Sequence, residues 1–370
     1  MGLEQALRQA QDGDTIELLS GDYKGQHVLL DQRRLVLRGV GQAPVFHGQG
    51  KVSLHKALWT VRGGDVRIEN IEFRGARSAD ANGAGVRLEG GRLKIVGCSF
   101  YDNEYGVLAL NAEVIANTAA NTAANPTAPA ALAELEIERS LFGLAPRVAG
   151  SLPHLLNVGR IGRLSVTGSR FQQGYEGHMI KSRARESLIA YNFIHDGQRG
   201  ASSYEIDLSA GGLATVLGNV IGQGVDSQNP VMVAYGAEGR VWERNVLHLS
   251  HNTLINNKLM PAWFLRVWRD RLPADTEVVA LNNLLVGPGI FWLGAAGRFE
   301  GNYGASLGML RDAETYAFEL APGSIWRGRG VDVSRVNGRD LSPKAEFEWP
   351  VGTRPLPPGP SRLSPGAFQR

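Results

Sequence analysis

Val66-Arg67-Ile68-Glu69-Asn70-Ile71-Glu72-Phe73 decides the architecture. Apolar residues alternate at Val66 and Ile68, then resume at Ile71 and Phe73 after a small or polar position. Alternation with period two marks a half-buried strand. The pattern returns at Leu93 to Phe100, Leu135 to Phe142 and Leu164 to Phe171, and later copies end at Ile194, Ile221, Leu254 and Leu284. The steps between ending residues are 27, 42, 29, 23, 27, 33 and 30, mostly the length of one coil of a β solenoid. No copy is long enough to bury its own apolar face, so the copies must stack.

A second series sits two residues before each ending position: Ile71, Cys98, Ser140, Ser169, Asn192, Asn219, Asn252 and Asn282. Four asparagines in consecutive copies predict a ladder at a turn, each side chain bonding the next coil. The 47 glycines among 370 residues suit the corners of such a coil. The expected fold class is all-β, a single solenoid of roughly ten coils.

Composition narrows the function. A single Cys98 excludes a disulfide framework and a cysteine-rich zinc site. Its place in the repeat predicts a buried, inert thiol. With 39 basic and 36 acidic residues there is no basic excess of the kind a nucleic-acid binder needs, although a local basic cleft for an anionic substrate is compatible. No apolar run is long enough for a transmembrane helix, and no signal peptide is visible at Met1-Gly2-Leu3-Glu4. The sequence does not specify an oligomeric state. Walker, G-x-S-x-G, H-E-x-x-H and dinucleotide-binding motifs are absent.

Leu3, Leu7 and Ala10 have helical spacing, which predicts a short amphipathic helix within 1–12 covering the open apolar end. It leads into Ala10-Gln11-Asp12-Gly13-Asp14-Thr15-Ile16-Glu17-Leu18 and then Gly21-Asp22-Tyr23. This opening resembles that of right-handed parallel β-helix proteins of the pectate-lyase-like superfamily. The resemblance spans about 1–305 and implies a right-handed parallel β-helix with a short N-terminal capping helix. It also implies a carbohydrate-active, secreted or periplasmic protein with a polysaccharide or oligosaccharide partner. Residues 111–133, rich in Ala, Asn and Thr, read as an inserted loop that explains the 42-residue step. Residues 306–370 read as a C-terminal cap and a tail; Met309 to Phe318 has helical character, and 341–370 hold seven of the 17 prolines.

Reactive side chains concentrate between 154 and 238. His154, Lys181, Asp207 and Tyr235 are spaced by 27, 26 and 28 residues, which places them near one another on one face. In Gly177-His178-Met179-Ile180-Lys181-Ser182-Arg183, an inward Ile180 turns Lys181 and Arg183 outward. In Ser203-Tyr204-Glu205-Ile206-Asp207-Leu208, inward Ile206 and Leu208 turn Glu205 and Asp207 outward and Tyr204 inward. The candidate catalytic residues are therefore Lys181, Arg183, His178, Tyr204, Glu205 and Asp207. The candidate substrate-binding residues are His154, Asn157, Arg185, Arg199, Gln228, Tyr235 and Glu238.

Lys181-Ser182-Arg183 resembles, more loosely, a segment of β-helix lyases that degrade alginate and dermatan-type uronides. That resemblance implies Lys181 as base, Arg183 as acid or carboxylate partner, and acidic residues holding Ca2+. In that pattern the arginine lies about one coil later, where this chain has Glu205 and Asp207; the nearest arginine there is Arg199. The preferred function is a polysaccharide lyase cleaving a uronic-acid-containing polysaccharide by β-elimination. The alternatives are a glycoside hydrolase using Glu205, Asp207 or Glu238, and a non-catalytic glycan-binding or structural β-helix whose Trp263, Trp268 and Trp292 stack on sugars.

Overall fold

The computed structural model describes residues 2–369 except 32, 50–55, 112–131, 149–150, 294–295 and 357–362, with the backbone alone at 292–293. The insertion expected over 111–133 therefore lies almost wholly outside the described residues, as does the Trp292 side chain. The chain winds into a right-handed parallel β-helix. Its first sheet has eleven strands, from Thr15–Leu19 to Arg298–Glu300. The second has eleven, from Asp22–Lys24 to Tyr303–Ala305, and the third ten, from Val28–Leu30 to Gly289–Leu293. The helix Leu3–Gln9 packs Leu3, Ala6 and Leu7 against the end of the core, and the Arg33 guanidinium donates to its Leu7 and Ala10 carbonyls. Among the described residues no helix is long and apolar enough to cross a membrane.

Because every coil repeats the same register, identical residues stack inside. Phe73, Phe100, Phe142 and Phe171 pair across the second sheet and overlap ring on ring at 5.2, 4.6 and 4.5 Å. Burying each such ring contributes about 1.5–3 kcal/mol.

The polar ladder runs beside this stack. The Cys98 amide donates to Ser140 Oγ, the Ser140 amide to Ser169 Oγ, and the Ser169 amide to Asn192 Oδ1. From there Asn192, Asn219 and Asn252, all fully buried, donate both backbone and side-chain N–H to the next Oδ1 at 2.9–3.0 Å. The next rung is Asn283 rather than the expected Asn282, followed by Asn302. The slip is one of register, because Leu254 pairs with Leu285 and not with Leu284. Asn282 instead exchanges two hydrogen bonds of 2.8 Å with Val331 in the C-terminal segment. Cys98 is buried as expected, and burial pushes its thiol up to about 12.

The helical reading of Met309 to Phe318 is corrected. Only a short 3-10 turn, Leu307–Met309, precedes an antiparallel hairpin of Leu310–Asp312 with Ala317–Leu320. Phe318 and Leu320 alternate onto the outer face of the second sheet, where Phe193, Val220, Ile255 and Leu284 present an apolar surface. The proline-rich tail continues along this flank. Gly352 N donates to Gly168 O, Lys344 N to Tyr191 Oη, Gly366 N to Asn282 O and Ala367 N to Thr253 Oγ1.

Candidate functional site

The candidate site lies on the outer face of the third sheet, in its middle coils. Lys181 pairs with Asn157 on one side and Asp207 on the other; Asp207 pairs with Ala234, and Ala234 with Arg266. These five residues form one outward column along the solenoid axis. The parity argument holds here, since Ile180, Ile206 and Leu208 are buried in the core.

It fails just before these residues, at the entry to the same strands. Met179 N and Ile180 N bond the consecutive carbonyls of Tyr204 and Glu205, and Leu155 N and Leu156 N bond those of His178 and Met179. Alternation is broken there in successive coils. The break turns His154, His178 and Tyr204 outward, and with Tyr105 they stack along the axis at 5.3, 4.9 and 4.7 Å. The same break turns Met179, Glu205 and Met232 inward, all fully buried. The expected sides of Tyr204 and Glu205 are thus exchanged. Glu205 lies in the interior, reached by Gln223 Nε2 at 3.3 Å, and burial raises it well above the usual carboxylate range. Tyr235 is corrected likewise: paired with inward Leu208, it is fully buried and donates to Gly212 O at 2.6 Å.

Glu238 completes the site from the loop after Tyr235. Gly236 opens that loop with φ 78°, and a Cβ there would lie 2.4 Å from Leu272. The Glu238 amide donates to Ser209 O. Its carboxylate takes Arg183 Nε at 2.5 Å, Arg183 Nη2 at 2.7 Å and Lys181 Nζ at 2.9 Å. Arg183 Nη1 also donates to Asn157 Oδ1 at 3.4 Å, and Trp242 Nε1 to the Arg183 carbonyl. Burial opposes ionisation of Glu238, yet the hydrogen bonds from Arg183 and Lys181 hold it down at about 2.

Asp207 sits on the opposite side of Lys181. Oδ2 lies 3.4 Å from Lys181 Nζ and 3.5 Å from His178 Nε2, while buried Oδ1 has no hydrogen-bond partner among the described residues. Burial, only partly offset by the Lys181 charge, lifts Asp207 to about 6. The imidazoles are held neutral. His178 is lowered to about 2 by burial and by His154 and Lys181, and His154 to about 4 by burial and Lys181. Backbone amides of His178 and Tyr204 donate to Nδ1 of His154 and His178, so each neutral ring carries its proton on Nε2.

The raised Asp207 carboxyl gives a stability prediction. The folded state holds this proton more tightly than the unfolded state, so the stabilisation is present below the ordinary aspartate value and is lost as pH rises to about 6. Asp207→Asn should raise unfolding stability by roughly 2–3 kcal/mol at pH 7, with the gap closing at pH 4. Urea unfolding at the two pH values checks this; an equal or lower stability at pH 7 would refute it.

Lys181, Arg183, His178, Tyr204, Asp207, His154, Asn157 and Glu238 therefore come together. Arg185 is exposed at the turn into the first sheet, its amide bonded to Ile161 O. Arg199 lies in the loop between the second and third sheets, beside Arg147, Gln173 and Asp226, away from this column. Gln228 is exposed in the following turn, bonded through its amide to Ser202 O. Tyr105, Trp242 and Arg266 were not singled out from the sequence. Arg266 follows Ala234 by 32 residues, an interval lengthened by the Glu238 loop and so outside the 26–28 spacing.

No family model matches this sequence, and no curated protein matches it. Among solved structures, a crystal structure of pectate lyase Pel9A is similar, with a TM-score of 0.68 over 100% of this chain and 91% of that one. The chain shares a pectate lyase's fold. Identity is 14%, so the likeness carries the architecture and leaves the chemistry to the residues of the groove.

Proposed function

We propose that the chain is a polysaccharide lyase that cleaves a uronic-acid-containing polysaccharide by β-elimination. One observation carries the reading: Arg183 and Lys181 jointly grip a carboxylate, that of Glu238, on the outer face of the third sheet. A substrate uronate would take the same grip, releasing Glu238. Neutralising that carboxylate acidifies the adjacent C5–H. Lys181 Nζ, seated between Asp207 and Glu238, takes the C5 proton as the free amine, its own ammonium proton having left to solvent. The C5–H electrons form the C4–C5 double bond as the C4–O bond breaks. Tyr204, kept protonated by burial and the Asp207 charge, supplies the proton to the leaving oxygen.

Calcium, which the looser family resemblance implies, wants several converging oxygen ligands. Among the described residues no three His, Cys, Asp or Glu side chains are placed to hold a metal, and Asp207 and Glu238 already face cations. The groove does not fit such an ion, and the reading uses none. A secreted or periplasmic location fits the proposed substrate.

A second reading rests on the opposite displacement of Asp207 and Glu238, up to about 6 and down to about 2. Such a pair suits the acid and the ionised carboxylate of a glycoside hydrolase. Glu205, buried inside, is no longer part of it. Incubation with anionic and neutral polysaccharides, with and without chelator, separates the readings. Unsaturated products with ultraviolet absorbance support elimination; new reducing ends without them select hydrolysis. Bound but uncleaved glycan selects a non-catalytic β-helix. Arg183→Lys should lower kcat/KM about tenfold to hundredfold, because a point charge cannot replace the two-pronged grip. Unchanged kinetics in this variant would remove Arg183 from the site.

A further inference from the structure

We infer that Arg266, held between Trp263 and Trp268, is a second carboxylate-recognising position that takes another uronate unit of the polymer bound at Lys181. This deepens the lyase reading and rests on it. The Arg266 guanidinium carbon lies 4.7 Å from the Trp263 ring and 4.5 Å from the Trp268 ring. Stacking on indole faces fixes the plane of a guanidinium while leaving its N–H edges able to bond. Among the described residues no carboxylate lies within 4.0 Å of Arg266, whereas Glu238 occupies both Lys181 and Arg183. Arg266 is therefore a half-buried cation whose plane two indoles fix, with no carboxylate partner among the described residues.

Its position fits a polymer. The outward column Lys181, Asp207, Ala234, Arg266 climbs three coils, about 14 Å at the usual strand spacing. Between Asp207 and Arg266 the column is bridged by Ala234, which is fully buried among Trp268, Trp263 and Tyr204, so the polymer would pass over these rings. Tyr204 borders the same stretch: it stacks on His178, approaches Asn229, and feels the Arg266 charge. A neutral glycan would leave Arg266 unpaired, so the position selects for charge repeated along the chain.

The test uses the full chain carrying Lys181→Ala, which holds substrate without turning it over. Dimeric, tetrameric and hexameric oligogalacturonate and oligomannuronate are titrated calorimetrically into it, and into the same protein carrying Arg266→Gln. Hexamer binding should weaken about tenfold or more, with a shallower salt dependence and an effect that grows with oligomer length. In otherwise native protein, Arg266→Gln should act mainly on KM. Arg266→Lys, which keeps the charge without the fork, should fall between the two and stands in if Arg266→Gln does not fold. Equal hexamer affinity and equal salt dependence in both proteins overturn the subsite and leave the lyase reading intact. If native protein neither binds nor cleaves any oligouronate, the lyase reading fails and the subsite with it.

Discussion

The Lys181→Ala protein should lose turnover by about a thousandfold, in the range contributed by a positioned general base, while still binding its substrate. Lys181 Nζ lies between Asp207 and Glu238, and the uronate would enter from the Glu238 side. Removing the amine takes away the group that the elimination reading sets against C5 and leaves only the Asp207 and Glu238 carboxylates that flanked it. His178 is committed by its Nδ1 contact and held neutral with its proton on Nε2, facing Asp207. The stability cost depends on pH. Without Lys181, Asp207 loses its largest favourable charge while burial and the Glu238 charge remain, and it is driven further toward its protonated form. The variant should therefore be close to native in stability at pH 5 and weaker at pH 8. Kinetics on the best polysaccharide, together with melts at the two pH values, check both parts. Full retained activity would end the lyase assignment and move the Asp207–Glu238 hydrolase to first place.

Asn219→Ala should cost about 3 kcal/mol of unfolding stability or more, since each buried polar group left without a partner costs about 1–3 kcal/mol. Asn219 Oδ1 accepts from both nitrogens of Asn192, and Nδ2 donates to Ile189 O at 2.8 Å and to Asn252 Oδ1 at 3.0 Å. Alanine orphans groups on two neighbouring coils at once. The chain contains its own control. At Ser140 and Ser169 a hydroxyl accepts the preceding coil's amide and donates two residues back. Asn219→Ser should therefore recover part of the loss. Equilibrium denaturation of the two variants measures this; an Ala variant within about 0.5 kcal/mol of native would mean that the ladder contributes little.

The architecture was legible because a solenoid writes each coil into the sequence separately. The phenylalanine stack and the Ser and Asn rungs recur at coil length, and strand parity placed Ile180, Lys181, Ile206 and Asp207 correctly. Parity failed at Tyr204 and Glu205 because the backbone there bonds two consecutive carbonyls to the preceding coil. No side-chain pattern announces such a break. Tyr235 was misplaced by counting from Asp207 with a step of 28, when its pairing partner is Leu208. The hairpin at 310–320 looked helical because its apolar residues serve the outside of another sheet, which the local sequence does not reveal. Glu238 was found by proximity in sequence, but its clamp on Arg183 depends on a turn at Gly236.

The C-terminal strap changes how the molecule can come apart. In a chain bonded only between neighbouring coils, an end can fray and the break can travel inward one coil at a time. Here the same segment is tied to Gly168, Tyr191, Thr253 and Asn282. Those anchors bracket the coils that carry Lys181, Asp207 and Arg266. Loosening the last coils therefore also means peeling the strap from the middle ones, which couples them into a single cooperative block.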